Sequence, residues 1–123
     1  GALGYVNQAY VKGKIKAAAI QNKDGNFVKP TSKNGSAGLA GIVLDENLAG
    51  TDTNPKGASA YPISTLTWVL AYATDNGDNL PALQKTFKYM LSNKAQSQAS
   101  SLGYVPLPSS IRRKALAAIQ QIK

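Results

Sequence analysis

A glycine-rich run near the middle of the chain is the first candidate for a binding site. Residues 35–41 read Gly-Ser-Ala-Gly-Leu-Ala-Gly, and the backbone of such a run can surround a phosphate group. The run lacks the Gly-Lys-Ser/Thr ending of a P-loop, and it does not closely follow an apolar strand as a dinucleotide-binding turn does. The pattern therefore favours a glycine-spaced helix or surface loop over a nucleotide site.

Carboxylate side chains are the second candidate. Asp45, Glu46 and Asp52 lie in a polar stretch without apolar neighbours that would raise a carboxyl pKa, so we expect a solvated loop. The sequence also has no Cys and no His, which excludes thiol chemistry, disulfides, histidine bases and the usual zinc sites. We therefore predict no catalytic residue, no metal site and no cofactor, and we expect that the protein is not an enzyme.

Hydroxyl groups gather at the start of an apolar run. Ser64, Thr65 and Thr67 could donate hydrogen bonds to an oxyanion, although hydroxyls in this position more often cap a strand.

Positive charge is the most pronounced feature of the composition. The net charge is +8, from 14 Lys and Arg against 6 Asp and Glu, and such a balance favours anionic partners. The densest cluster is Arg112-Arg113-Lys114, which we place on the outer face of the last helix. The aromatic residues fall mostly inside apolar patterns and not beside this cluster, so we expect no nucleic acid partner.

The pattern along the chain predicts interleaved strands and helices, that is, an α/β fold. An Asp-Gly pair within residues 22–25 predicts a hairpin, and the hydroxyls after Pro30 predict a helix start. The predicted elements are a strand at 3–6, a helical turn at 7–12, a helix at 36–43, a loop at 45–60, a doubly covered strand at 65–74, a long amphipathic helix from 80 to 102 and a last helix through 111–122.

A proline-containing corner separates the last two predicted helices. In residues 102–108, Leu-Gly-Tyr-Val-Pro-Leu-Pro, Gly103 favours a left-handed helix stop, and Pro108 is well placed to open the next helix. The apolar side chains between them require a packing partner.

Read in order, several segments resemble one family. They are Gly-Ala-Leu-Gly-Tyr-Val at 1–6, Phe-Val-Lys-Pro-Thr at 27–31, Tyr-Pro-Ile-Ser at 61–64, Trp-Val-Leu at 68–70 and the proline corner. The chain is similar over nearly its whole length to the periplasmic phosphate-binding proteins of high-affinity phosphate ABC transporters, and in particular to cyanobacterial members.

This resemblance implies part of a type 2 periplasmic-binding-protein fold, in which two α/β lobes close around one phosphate. It implies inorganic phosphate and a membrane ABC permease as partners of the full-length protein. Members are two to three times longer, so the chain would be a C-terminal fragment. The family's Arg and Ser-Gly-Thr ligand motif is absent here, so no phosphate ligand can be carried onto this sequence, and we expect weak or no phosphate binding by the fragment.

The resemblance also divides the chain. Residues 1–60 would belong to lobe two and residues 61–123 to lobe one, with Tyr61, Pro62, Ile63 and Ser64 in the hinge region. A fragment that lacks its sheet partners should self-associate, with a homodimer as one form. We expect a periplasmic or extracytoplasmic location. Attachment of the protein to the membrane through the missing N-terminus stays open. The alternatives are a basic module for nucleic acid or anionic surfaces, and a binding protein of the same fold for another oxyanion.

Overall fold

Short helices and one small hairpin make up the regular structure. The computed structural model describes residues 2–123. The elements are β1 (Ile20–Gln21), β2 (Phe27–Val28), α1 (Ser32–Leu39), α2 (Leu80–Met90), α3 (Asn93–Gln98) and α4 (Ser109–Ile119), with 3₁₀ helices at Gln8–Tyr10, Gly77–Asn79 and Ser100–Leu102. The chain thus combines helices with a two-stranded sheet, as the coarse α/β prediction requires.

The predicted hairpin is present at the Asp-Gly turn. Its strands run antiparallel, with Ile20 opposite Val28 and Gln21 opposite Phe27. Gly25 takes a φ of 81°, a left-handed value that glycine adopts without steric cost. The prediction of the hairpin is confirmed, although each strand is only two residues long.

Helix α1 begins where the sequence predicts a hydroxyl cap. The Thr31 side chain accepts a hydrogen bond from the Asn34 N–H at 3.2 Å, which satisfies one of the amides left open at a helix start. The helix therefore starts and ends four residues earlier than the predicted range 36–43. Ile42 then lies beyond its end but is still buried.

The long helix predicted from residue 80 to residue 102 is wrong as a single element. Helix α2 ends at Met90, and the backbone at Ser92 is extended. The Ser92 hydroxyl accepts a hydrogen bond from the Ala95 N–H at 3.2 Å, and this cap starts α3. A serine that can cap a new helix therefore overrides the continuous apolar spacing. The predicted apolar face persists in part across the break. Met90 and Leu102 of this face are exposed, and its half-buried members are Leu83, Phe87, Leu91, Ala95 and Ala99.

The proline corner forms as predicted. Gly103 has a φ of 81° after the 3₁₀ turn, and Pro108 is the residue that precedes α4. Val105 and Leu107 pack against the hydrophobic core, which supplies the packing partner that the corner requires. The Leu107 N–H donates to the Gln96 side-chain oxygen at 2.8 Å, so α3 holds the corner in place.

One cluster of buried side chains forms the main core. Its members come from the end of α1, the segment after it, the middle of the chain and α4: Leu39, Ile42, Leu44, Leu66 and Ile111. The core therefore takes residues from both sides of Ala60, and Leu66 fixes the end of the segment 61–66.

Two predicted strands are wrong. Residues 3–6 form no strand, and the side chains of Leu3 and Tyr5 are 99% exposed. Residues 65–74 form no strand either, and Leu70 is 94% exposed although the sequence predicts cover on both faces. A β-prone segment becomes a strand only when a second segment pairs with it, and residues 2–123 supply none for either segment.

The surface of the chain is large for its mass. It measures 9026 Å², whereas a compact monomer of 12.9 kDa exposes about 6,300 Å². The excess of about 2,700 Å² on one chain corresponds to about 5,400 Å² counted over two partners, which is the size of the largest protein–protein interfaces. Within residues 2–123, none of the helices has the length and apolar character needed to cross a bilayer.

Candidate functional site

The predicted hinge, residues 61–64, is a short bent segment held at its first residue. The Tyr61 N–H donates to the Asn34 carbonyl oxygen of α1 at 3.0 Å, and the Tyr61 carbonyl accepts from the Ser64 hydroxyl at 3.1 Å. The backbone bends at Pro62 and Ile63, and the Ile63 side chain is 71% exposed. Leu66 then enters the core. The bend therefore lies between two anchors, the Tyr61 hydrogen bond to Asn34 and the buried Leu66.

The glycine-rich run packs against the first of these anchors. A Cβ atom added at Gly38 would lie 2.5 Å from the Tyr61 carbonyl oxygen, and one added at Gly35 would lie 2.7 Å from a methyl group of Val105. These two glycines are three residues apart and therefore share a face of α1. They let the helix backbone approach the hinge segment and the proline corner. The helix interpretation of this run is thus confirmed, and the glycines serve close packing.

A groove of about 290 Å³ lies beside the hinge segment. Two runs and one core residue line it: Gly50–Thr53, Pro62–Thr65 and Ile42. Ser64 and Thr65 of the predicted hydroxyl group reach this groove, and Thr67 is not among its lining residues.

Asp52 is the ionisable residue of the groove. Its side chain is half-buried, and one carboxylate oxygen accepts a hydrogen bond from the Asn54 N–H at 3.2 Å. With a carboxylate as its charged group and hydroxyls around it, the groove suits hydrogen-bond donors better than a bare anion. None of the residues that line the groove carries a positive charge, and we assign no phosphate ligand there.

The remaining candidate carboxylates organise a loop. Asp45 accepts hydrogen bonds from the N–H groups of Asn47 and Ala49 at 2.9 and 2.8 Å, while Glu46 is exposed. Across residues 2–123 no three acidic, His or Cys side chains come close enough to hold a metal ion.

The basic cluster on α4 is divided between structural contacts and solvent. The Arg112 guanidinium donates to the Asn93 side-chain oxygen at 2.6 Å, and the Lys114 ammonium donates to the Leu44 carbonyl at 3.2 Å. Arg113 is exposed. Two of the three cations thus connect α4 to neighbouring segments. The cluster therefore offers less free positive charge to an anionic partner than the sequence suggests.

Asn22 has a structural role that the sequence reasoning missed. It is only 5% exposed, and its amide NH₂ group donates to the carbonyl oxygens of Gly57, Ala58 and Ala60 at 2.9, 3.2 and 3.2 Å. Its side-chain oxygen accepts from two N–H groups of its own turn. The Asn-Lys-Asp-Gly signal predicts the turn but carries no information on partners 35–38 residues away.

Comparison with known proteins finds relatives that are named phosphate-binding proteins. The chain is 32% identical over 117 residues to the phosphate-binding protein PstS of Xylella fastidiosa strain 9a5c, which covers 90% of this chain and 31% of that protein. It is 27% identical over 136 residues to the phosphate-binding protein PstS of Methanocaldococcus jannaschii, covering 98% of the chain and 35% of that protein. A PstS protein of Pasteurella multocida is 28% identical over 116 residues, covering 91% and 33%.

The chain is related in sequence to these phosphate-binding proteins. It spans about a third of the length of the relatives that it matches. No family model matches the chain. The relationship predicted from the ordered segments is thus confirmed at this level, and the closer likeness to cyanobacterial members stays a prediction.

Proposed function

We propose that the chain is part of a phosphate-binding protein with the two-lobed type 2 periplasmic-binding-protein fold. The observation that carries the proposal is its similarity, over 90–98% of its residues, to proteins named for phosphate binding. The large exposed surface supports it, since an excess of about 2,700 Å² fits a chain that normally packs against more polypeptide. In this role the chain supplies scaffold, and the residues that contact phosphate lie outside it.

The same proposal places the protein in phosphate uptake. The complete protein would capture inorganic phosphate in the periplasm or an equivalent extracytoplasmic space and deliver it to the permease of an ABC transporter. Binding and release need no covalent chemistry, and the lack of His and Cys in the chain is compatible with that.

We further propose that residues 61–64 connect the two lobes, with residues 1–60 in lobe two and residues 61–123 in lobe one. The bend at Pro62 and Ile63, between the Tyr61 hydrogen bond and the buried Leu66, supports this role. Proline fixes its own φ and so confines rotation to its neighbours. The core cluster takes residues from both sides of this boundary, and this packing counts against free movement of the two parts about residues 61–64.

Titration calorimetry tests the ligand. The complete polypeptide that the gene encodes should bind phosphate and arsenate but not sulfate, whereas the 123-residue chain should bind none of the three. Preferential binding of sulfate would replace the proposal with a same-fold protein for another oxyanion. If no oxyanion binds the complete polypeptide, the proposal is wrong.

Two further measurements test the hinge role of residues 61–64 and the alternative of a basic module that binds nucleic acid. Hydrogen exchange on the complete polypeptide should show a phosphate-dependent change in peptides that contain residues 61–64, and an unchanged rate there would remove the hinge role. A labelled DNA duplex at low salt tests the basic-module alternative, because phosphate contacts are strongest there. We expect no shift of the duplex.

A further inference from the structure

Two Asn-Gly pairs occur in the chain, Asn34-Gly35 and Asn76-Gly77. In such a pair the backbone nitrogen of the glycine can attack the side-chain carbonyl carbon Cγ of the asparagine, because glycine has no Cβ to obstruct the approach and its backbone turns easily. The reaction therefore needs a glycine N–H without a hydrogen-bond acceptor and a peptide that has room to rotate. The two pairs differ in both requirements.

Gly77 meets both requirements. It is exposed, and within residues 2–123 its N–H donates to no other backbone group. A Cβ built on Gly77 would meet nothing within 4 Å beyond its own chain neighbours, so the surroundings leave room for its peptide to rotate. Asn76 lies just before the short 3₁₀ helix Gly77–Asn79, and its side chain makes no capping hydrogen bond there. The Gly77 nitrogen is thus free to approach Asn76.

Gly35 meets neither requirement. It is buried inside α1, where its N–H donates to the Thr31 carbonyl at 2.8 Å. A Cβ at Gly35 would lie 2.7 Å from a methyl group of Val105, so packing also restricts this peptide. The Asn34 side chain in addition donates to the Lys29 carbonyl at 3.0 Å. Part of α1 must therefore unfold before the Gly35 nitrogen can reach the Asn34 side chain.

The amide group of Asn76 joins two parts of the chain. Its NH₂ group donates to the carbonyls of Tyr72, Thr74 and Lys123 at 2.9, 3.4 and 2.8 Å. All three partners are acceptors, so a carboxylate at this position would lose these hydrogen bonds and repel the same oxygens. Conversion of the Asn76 amide to a carboxylate therefore loosens the contact between the turn at residues 72–76 and Lys123.

We propose that Asn76 is a site of spontaneous deamidation, by which the protein loses this contact as it ages. The Gly77 nitrogen gives up its proton to hydroxide and bonds to Cγ of Asn76. The bond from Cγ to the side-chain nitrogen breaks, and that nitrogen takes a proton from water and leaves as ammonia. Water then opens the cyclic imide at one of its two carbonyl carbons, which yields aspartate or isoaspartate. In sum, an amide and water become a carboxylate and an ammonium ion, with no oxidant or reductant. The inference does not depend on the proposed function.

Peptide mapping of the complete gene product by mass spectrometry tests the site. When the folded protein is kept at mildly alkaline pH, the peptide with Asn76 should deamidate at least about tenfold faster than the peptide with Asn34. In denaturant both pairs are free, and the two rates should agree within about threefold. Because the Gly77 nitrogen must lose a proton, the rate at Asn76 should fall at mildly acidic pH. Equal rates in the folded protein, a faster Asn34, an Asn76 that reacts only in denaturant, or a rate that does not fall with pH would overturn the proposal.

Three substitutions give a second readout. Asn76→Gln lengthens the side chain and disfavours the ring, so the mass gain should vanish from this peptide, and its persistence would assign the reaction to another residue. Asn76→Asp installs one product directly and should speed hydrogen exchange at the Lys123 N–H, which donates to the Ala73 carbonyl at 2.8 Å, by at least about tenfold. Asn79→Asp adds the same charge to the same turn at an exposed side chain, and this matched control should change the exchange by less than about twofold. Equal changes in the two Asp variants would refute the proposed loss of contact.

Discussion

Replacing Asn22 by alanine should destabilise the chain by at least about 3 kcal/mol. The side chain makes five hydrogen bonds, and the carbonyls of exposed Gly57 and Ala58 regain water when it is removed. Ala60 is 0% exposed, so its carbonyl is left buried without a donor. That orphaned acceptor costs about 1–3 kcal/mol, and the other four bonds contribute about 0.5 kcal/mol or more each in net terms.

Urea denaturation followed by circular dichroism measures this loss. With a slope of about 1–3 kcal/mol per molar urea, the midpoint should fall by at least about 1 M. Asn26→Ala is the matched control, because Asn26 belongs to the same turn and its side chain makes one exposed hydrogen bond at 3.3 Å. It should cost less than about 0.5 kcal/mol. If Asn22→Ala costs no more than this control, the reasoning that the buried amide holds the hairpin to residues 57–60 is refuted.

Asn22→Asp adds a dependence on pH to the same test. The change removes the donors and aims a carboxylate at three carbonyl oxygens, so burial and repulsion raise the pKa of the introduced carboxyl in the folded state. Because the folded pKa lies above the unfolded one, the penalty is full above the folded pKa and disappears below the unfolded pKa. The gap in stability between this variant and Asn22→Ala should therefore narrow as the pH falls from 7 to 4, and a gap that stays constant would contradict this explanation.

Three further substitutions test the packing around the corner and the hinge. Gly38→Ala forces a Cβ to within 2.5 Å of the Tyr61 carbonyl and should cost about 1–3 kcal/mol by urea titration, although alanine favours helices. Gly103→Ala places a side chain at a φ of 81° against the backbone of Ala9 and should cost at least about 1 kcal/mol, seen as a lower melting temperature. Gln96→Ala removes the acceptor for the Leu107 N–H and should cost about 1–2 kcal/mol, while Gln98→Ala, an exposed helix position, should cost under about 0.5 kcal/mol. Equal losses for the two glutamines, or no loss for either glycine, would contradict the packing described above.

Features that depend on a few neighbouring residues are predicted well from this sequence. The Asp-Gly turn, the Thr31 cap, the left-handed Gly103 and the start of α4 after Pro108 all form as expected. Each is set by backbone preferences or by hydrogen bonds that span at most four residues. Most of the apolar face of the helical region is predicted for the same reason, since side-chain spacing alone defines it, although Met90 and Leu102 are exposed.

Features that depend on distant partners are not predicted. Residues 65–74 have the composition of a covered strand, yet a strand needs a second segment, and the described chain has none for it. The contacts of Asn22 and Gln96 join residues that no local pattern relates. The hinge assignment came from resemblance, and the bend at Pro62 is compatible with it. The three-residue spacing of Gly35 and Gly38 marks one helix face that can approach a neighbour closely, but it does not identify Tyr61 as that neighbour.

The close approach of α1 to the hinge segment restricts how both can change. At Gly35 and Gly38 the helix touches its neighbours without any side chain of its own in between, so no side chain of the helix can change rotamer to absorb a displacement. A shift of Tyr61 must therefore move α1 as well or break the 3.0 Å hydrogen bond to Asn34. Every substitution at these two positions adds volume, so mutation can only widen this spacing. The separation between α1 and the hinge segment is thus at its minimum. In related sequences with larger side chains at these positions, the two segments should lie further apart.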